Sequence, residues 1–207
     1  MRKLVGLDPK DPRVRTICPG ISLRELHSKT TQQTIDSLLE FVLGRNNKGE
    51  SHNKKKPTII GLSANQVGII KRICIVDLAV RKKGRSDIHV MINPRIHWQS
   101  KTKKLRREGC VNLSHIWGFV QRSIAIDVSF LDRWGNRYQM RAAGWSATLI
   151  QHEVDHLSGI LFIDRLSDST KAQLVKDEDL ELYKKDPKGW NKCIDVSGLS
   201  RSLSGNA

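Results

Sequence analysis

The feature that most constrains this chain is the stretch His152-Glu153-Val154-Asp155-His156, with two histidines four positions apart and a glutamate beside the first. Apolar residues surround it, which predicts a buried helix over about 146–157. Residues four apart share one helix face, so both imidazoles can reach one metal ion. Glu153 can then exchange a proton with water without being a ligand. Burial favours this metal site over two solvated surface histidines, because buried unpaired polar groups are costly.

A catalytic metal site of this kind needs a third protein ligand. No histidine follows His156, and Glu178 and Glu181 fall in a charged stretch that we expect to be exposed. Upstream, Cys110 follows a glycine, and a thiolate with two imidazoles suits Fe(II), Zn(II), Ni(II) or Co(II). A lone cysteine also fits an inert buried residue. The residues alone therefore leave the third ligand open.

A second stretch, residues 61–68, carries small side chains after the apolar pair Ile59-Ile60. Small side chains let a ligand approach the backbone, and the amide of Gln66 can donate a hydrogen bond to an oxyanion. A tight turn between two strands explains the same pattern equally well.

Residues 59–130 contain short runs of β-branched residues divided by turn or charged residues, which predicts a sheet-rich middle. A helix is predicted over about 31–43, because Ile35, Leu38, Leu39 and Val42 are spaced to form one apolar stripe, and Gly44 can end it. Strands and helices do not alternate as βαβ units, so the fold class is α+β. A hairpin is predicted over 130–138, with positive φ at Gly135 and Asn136. The predicted strand runs are 59–60, 69–70, 73–78, 88–92 and 124–130.

The length of 207 residues suits one domain with a tail. We expect a catalytic domain over 1–168 and a C-terminal tail over 169–207, helical around 170–183 and then flexible. Residues 45–57 are predicted to form an exposed loop. No apolar run approaches the ~20 residues that a membrane-spanning helix needs, and no secretory leader is recognisable.

The net charge of +15 is concentrated in the predicted domain. Residues 81–107 hold ten basic residues against Asp87 alone. Such a field attracts polyanions such as RNA, although a solvated basic surface fits as well.

Taken together, these stretches resemble the peptide deformylase family, whose motifs are a GxGLxAxQ loop, an EGC(L/V)S strand and an HExDH helix. Here they read IIGLSANQ at 59–66, EGCVN at 108–112 and QHEVDH at 151–156. They occur in the family's order, and the resemblance covers about residues 4–166. It implies antiparallel strands around a central metal-binding HExxH helix.

The resemblance implies a metal-dependent hydrolase that removes the formyl group from the N-formylmethionine of nascent chains and releases formate. Its metal ligands would be Cys110, His152 and His156. One divalent ion per chain would bind there, Fe(II) in the first place, with Zn(II), Ni(II) or Co(II) as alternatives.

The resemblance also implies catalytic and substrate-binding roles. Glu153 would act as general base toward water and then as acid toward the leaving amine. The Gln66 amide and the Val111 backbone N–H would hold the developing oxyanion. The substrate-binding residues would be Ile60, Gly61, Gly109, Trp145 and Leu149.

The chain departs from the family pattern at Ile59, Asn112 and Trp117, at Arg106 and Arg107 before Glu108, and in a longer loop at 45–57. These places border the expected substrate rim. They leave the ligands, Glu153 and Gln66 in place. Asp155 is not needed as a ligand, and we expect it to orient its helix through a basic partner, Arg122.

Two other functions are alternatives to the deformylase function that the resemblance implies. One is an HExxH metallopeptidase, for which the Cys110 motif would be a coincidence. The other is a catalytically altered homologue that binds the ribosome or RNA through its basic surface.

The expected partners are a formyl-Met nascent peptide and, through the basic surface, the ribosome or rRNA. No membrane partner is expected. We expect a monomer in a bacterial or virus-infected cytoplasm, or in an organelle matrix if a precursor has been trimmed.

Overall fold

The structure of the protein, a computed structural model, describes residues 4–44, 59–79, 86–201 and 203. The predicted loop at 45–57 lies outside this part. The α-helices of the described part are α1 (Leu23–Leu26), α2 (Lys29–Leu43), α3 (Trp145–His156) and α4 (Leu180–Lys185). Its strands are β1 (Gly61–Ser63), β2 (Ile73–Asp77), β3 (Ile88–Gln99), β4 (Lys103–Glu108), β5 (Ile116–Ser123), β6 (Ala125–Leu131), β7 (Arg137–Ala143), β8 (Ala172–Leu174) and β9 (Cys193–Ile194).

One antiparallel sheet, in the order β1-β2-β3-β6-β7, separates the two longer helices. Successive residues of a strand point to opposite faces, and β2 is buried along its whole length. Cys74 and Val76 join the apolar cluster that contains α3 residues. Ile73 and Ile75 join the cluster that contains α2 residues. The sheet is therefore covered on both faces, which explains the continuous apolar run of β2.

Helix α2 covers its face of the sheet with the predicted apolar stripe. Ile35, Leu38 and Val42 on this helix are fully buried. Gly44 ends the helix with φ 62°, as predicted, because an L side chain is strained in this conformation.

A second antiparallel sheet, in the order β4-β5-β8-β9, takes its last two strands from beyond residue 168. The predicted helix over 170–183 is therefore wrong for most of its length, and only α4 is α-helical there. Residues 172–174 pair with β5 instead, with Trp117 opposite Gln173. Backbone pairing and burial of Ala172 override local helix propensity. The boundary at residue 168 stays a prediction.

Other local expectations are confirmed or corrected. The α+β class with antiparallel sheets and the β6–β7 hairpin are confirmed. Residues 59–60 and 69–70 are not strands, and a 3₁₀ helix, Ala64–Val67, lies between them. At the hairpin turn only Gly135 has positive φ, at 90°, while Asn136 does not. No helix in the described ranges is long and apolar enough to cross a bilayer.

Candidate active site

Helix α3 places the HExxH residues in the interior. It follows Gly144, whose φ of 63° suits glycine, and packs against strands of both sheets. His152, Glu153 and His156 are 7%, 2% and 1% exposed. These side chains are therefore buried, as the apolar flanks of the motif predicted.

The two histidines face each other, and Gln66 faces them. The Nε2 atoms of His152 and His156 are 3.1 Å apart, and the Gln66 Nε2 atom is 3.1 Å from that of His156. Gln66 is oriented by its Oε1 atom, which accepts a hydrogen bond from the Ser63 backbone N–H at 2.7 Å. Helical spacing and the 3₁₀ turn thus bring three side-chain nitrogens to one point.

A buried charge network fixes the orientation of His152. Its Nδ1 atom lies 2.8 Å from Glu108 Oε2. Arg122 binds the same carboxylate through two hydrogen bonds of 2.7 and 2.9 Å and also contacts Asp155. The predicted contact between Arg122 and Asp155 is thus confirmed, and Arg165 forms a second ion pair with Asp155.

The network changes the acidity of its members. Burial opposes ionisation of Glu108, yet the hydrogen bonds and charge of Arg122 lower its pKa to about 2. Burial likewise disfavours charge on His152, but the hydrogen bond and charge of Glu108 raise the pKa of that imidazole. Burial and the charge of His152 lower the pKa of His156 well below its usual value. The carboxylate of Glu108 is therefore ionised and accepts a hydrogen bond from the Nδ1–H group of His152.

The hydroxyl of Ser63, which the sequence did not single out, contacts the Glu153 carboxylate. The Ser63 Oγ atom lies 2.8 Å from both Glu153 Oε2 and the Glu153 backbone oxygen, so it can donate to either. Burial raises the pKa of Glu153 to about 7, against the opposing charge of His152. A carboxyl with a pKa near neutrality can both accept and donate a proton. The sequence feature that could have indicated this contact is the stretch of small residues at 61–68, which contains Ser63.

Gly61 leaves the space that the Glu153 carboxylate occupies. A Cβ atom built at Gly61 would overlap Glu153 Oε1 and lie 2.8 Å from Leu149 Cδ1. For the deformylase activity that the motif resemblance implies, we expect Gly61→Ala to lower kcat/KM about 10²-fold, because displacing a reacting group by about 1 Å has effects of this size. The rate of formate release measures this loss. Gly198→Ala is the control, since nothing lies within 4 Å of a Cβ atom built at Gly198. Parental activity in Gly61→Ala would contradict this close approach.

Cys110 lies just after β4 and reaches the same region. It lines one cavity together with Gln66, His152 and Glu153. Burial raises the pKa of its thiol to about 12, so the protonated thiol is the stable form without a cation nearby. In the described part of the chain, no three His, Cys, Asp or Glu side chains stand ready to hold an ion as they are. The ligand set therefore stays a prediction.

The chemistry of these donors nevertheless fits a divalent cation. Two facing imidazole nitrogens, one held by a carboxylate at its far side, form the usual histidine arrangement of metal sites. The Nε2 atom of His156, which faces those of His152 and Gln66, is the nitrogen that can bind an ion here. Sulfur and nitrogen donors suit Fe(II), Zn(II), Ni(II) and Co(II).

The cavity, of about 330 Å³, also collects the predicted substrate-binding residues. This volume suits a side chain with its adjoining peptide group. Arg107 and Trp117, two of the departures from the family pattern, complete one wall of the cavity. The predicted residues that line the cavity are Ile60, Gly61, Gly109, Val111, Trp145 and Leu149.

Three of the departures from the family pattern, Ile59, Asn112 and Trp117, are accommodated in the structure. Ile59 and Trp117 line the cavity. Asn112 lies behind it, where its Nδ2 atom donates to the backbone oxygens of Leu7 and Gln66 at 2.8 and 2.9 Å. Asn112 therefore ties the N-terminal segment to the turn that carries Gln66.

Comparisons with known proteins agree with this geometry. The family model described as "Polypeptide deformylase" matches residues 7–172. A peptide deformylase of Zymomonas mobilis is 34% identical over 179 residues, which are 85% of this chain and 93% of the relative. A peptide deformylase from Synechococcus elongatus, solved in complex with actinonin, has a TM-score of 0.69 at 27% identity and covers 97% of this chain and 92% of its own. A Met-Ala-Ser-bound deformylase from Acinetobacter baumannii has a TM-score of 0.66 at 29% identity, covering 80% of this chain and 100% of its own.

Proposed function

The chain belongs to the polypeptide deformylase family, and we propose a specific set of residues through which it removes the formyl group from N-formylmethionine of nascent polypeptides. It is a metal-dependent hydrolase of that family. The observation that carries the assignment is one cavity lined by Gln66, Cys110, His152 and Glu153. The His156 Nε2 atom lies 3.1 Å from that of His152.

Cys110, His152 and His156 would hold the ion. We propose Fe(II), on the resemblance to the family, with Zn(II), Ni(II) and Co(II) as ions that the same donors accept. When bound, the ion would polarise the formyl carbonyl and increase the acidity of water. Glu108 would keep the Nε2 lone pair of His152 directed at the ion, because its carboxylate holds the opposite ring nitrogen.

Glu153 and Gln66 would carry the proton transfer and the charge stabilisation. The Glu153 carboxylate, with its pKa near 7, takes a proton from the attacking water and passes it to the leaving methionine nitrogen. The Gln66 amide and the Val111 N–H donate hydrogen bonds to the formyl oxygen as negative charge develops there. Ile60, Trp145 and Leu149 form the apolar side of the pocket for the methionine side chain. The HExxH helix is thereby the metal-binding element around which the strands are arranged.

The test of this function is formate release from formyl-Met-Ala-Ser by protein loaded anaerobically with Fe(II) or Ni(II). We expect turnover by the parent with one bound metal per chain. The absence of formate from fully loaded protein would overturn the proposal. A catalytically altered homologue would then be the better reading.

Replacing Cys110 distinguishes a deformylase from an HExxH metallopeptidase. We expect Cys110→Ala to lose its metal on dialysis and its deformylase activity with it, because a thiolate ligand is removed. The exposed Cys193 offers a matched control, and Cys193→Ala should keep its metal. Metal content follows from elemental analysis of the dialysed proteins. Full metal retention in Cys110→Ala would favour the metallopeptidase.

We also propose the ribosome as a partner, on the basic turn between β3 and β4. Lys101, Lys103 and Lys104 are exposed there, as is Arg95. Salt-dependent co-sedimentation with ribosomes tests this contact, since phosphate contacts weaken as salt rises. Retention that is insensitive to salt would contradict the electrostatic contact. The monomeric state and the location in cytoplasm or matrix stay predictions.

A further inference from the structure

Arg107 occupies an unusual environment at the wall of the cavity. Its guanidinium carbon lies 5.1 Å from the ring centroid of Trp117 on β5 and 5.1 Å from that of Tyr183 on α4. The two rings are 6.1 Å apart and tilted by 45°, so they form a V-shaped platform for the guanidinium. Aromatic faces attract cations and restrict their motion. Tyr183 comes from the C-terminal tail, beyond the residues that the family model matches.

The tail holds Tyr183 in a fixed position. Tyr183 is fully buried, and its hydroxyl donates to Gln173 Oε1 at 2.7 Å. The ring of Trp190 packs edge-on against it at 5.5 Å, and the Trp190 Nε1 donates to the Leu174 backbone oxygen. On the other side, Trp117 lies close against the Gly109 backbone, 3.0 Å from where a Cβ would stand. The platform under Arg107 is therefore rigid.

The charge of Arg107 is not neutralised by the protein around it. Among the residues that the structure describes, no Asp or Glu forms an ion pair with Arg107, and the adjacent carboxylate of Glu108 is bound to Arg122 and His152. The other arginines near the site are paired, as Arg122 and Arg165 are with Asp155. A positive charge therefore faces the cavity that also contains Glu153 and Cys110.

We propose that Arg107 determines substrate specificity by binding the carboxylate of an acidic side chain downstream of the formylmethionine. The inference rests on the proposed function and adds a preference for acidic nascent chains. A guanidinium suits a carboxylate because it offers parallel N–H groups in a planar fork. Tyr183 and Trp117 act as positioning residues, since their rings hold the guanidinium at the wall of the cavity. The tail thereby completes the peptide-binding wall.

The test compares matched peptides that carry Glu or Gln at the same position. Formyl-Met-Glu-Ala-amide is compared with formyl-Met-Gln-Ala-amide, and formyl-Met-Ala-Glu-amide with formyl-Met-Ala-Gln-amide. The amides remove the terminal carboxylate, which would otherwise compete for Arg107. We expect kcat/KM to favour Glu about tenfold in at least one pair, through KM, because this contact forms in the bound ground state. The preference should shrink as salt screens the charges.

Variants locate the effect at Arg107. Arg107→Gln should bring the Glu:Gln ratio to about 1, as expected when the charged partner of the carboxylate is removed. Arg106→Gln removes the same charge from the neighbouring residue, which points to the opposite face of β4, and should keep the parental ratio. Tyr183→Leu should lower the Glu:Gln ratio of kcat/KM, whereas Tyr183→Phe should keep the parental ratio because the aromatic ring remains.

Binding of the product peptides provides a readout independent of turnover. Calorimetry with Met-Ala-Glu-amide, Met-Glu-Ala-amide and their Gln counterparts should show the same preference, lost in Arg107→Gln. Equal kcat/KM and equal affinity for Glu and Gln peptides would overturn the role of Arg107, and so would an unchanged preference in Arg107→Gln. Failure to release formate from any peptide would contradict the proposed function instead, and the binding comparison would still decide the role of Arg107.

Discussion

Glu153→Gln is expected to lower kcat for deformylation about 10²–10⁴-fold, the range that positioned proton transfer contributes. The amide keeps the size of the side chain and can still accept the hydrogen bond from Ser63 Oγ. It cannot take a proton from water. The variant should therefore fold normally and bind its metal while formate release is lost.

The measurement combines formate release with metal analysis of the same preparation. Glu178→Gln, at an exposed position outside the cavity, is the matched control and should behave as the parent. If Glu153→Gln turned over at the parental rate with full metal content, Glu153 would not be the proton carrier. Loss of metal in this variant would instead indicate that Glu153 supports the ligands.

Arg122→Met is expected to give the largest loss of stability. The substitution leaves the buried carboxylates of Glu108 and Asp155 without their common partner. Breaking a buried ion pair by removing one partner costs about 3–5 kcal/mol. Urea unfolding measures this change as a lower midpoint at an unchanged slope.

The surface offers a control with the same chemistry. Arg141 binds Asp127 through two hydrogen bonds of 2.7 Å, but its side chain is 66% exposed. Arg141→Met should unfold close to the parent, because exposed ion pairs contribute little. Equal midpoints for Arg122→Met and the parent would mean that water or Arg165 compensates the two carboxylates. The charge network of Arg122 would then act mainly to orient His152 and would contribute little to the free energy of unfolding.

Much of the fold follows local patterns that are visible in the sequence. The apolar spacing of α2 and its glycine cap predicted that helix, and the β6–β7 hairpin followed from its turn residues. The strand β4 was not predicted, because its sequence Lys-Lys-Leu-Arg-Arg-Glu has little of the apolar alternation typical of strands. It forms because all six of its residues pair with β5. The tail shows the same effect, with a strand replacing most of the predicted helix.

The sequence by itself determined the spacing of His152, Glu153 and His156, because helical geometry places residues four apart on one face. The resemblance to the family motifs also indicated that Gln66, Cys110 and the small residues near Gly61 lie at the same site. Only the tertiary structure decided which distant groups complete them. Ser63 lies 90 residues from Glu153 in the chain, and Glu108 lies 44 residues from His152. The pairing of Arg107 with Tyr183 likewise depends on how β8 and α4 pack against β5. Such contacts arise when distant segments are buried together, and no local periodicity encodes them.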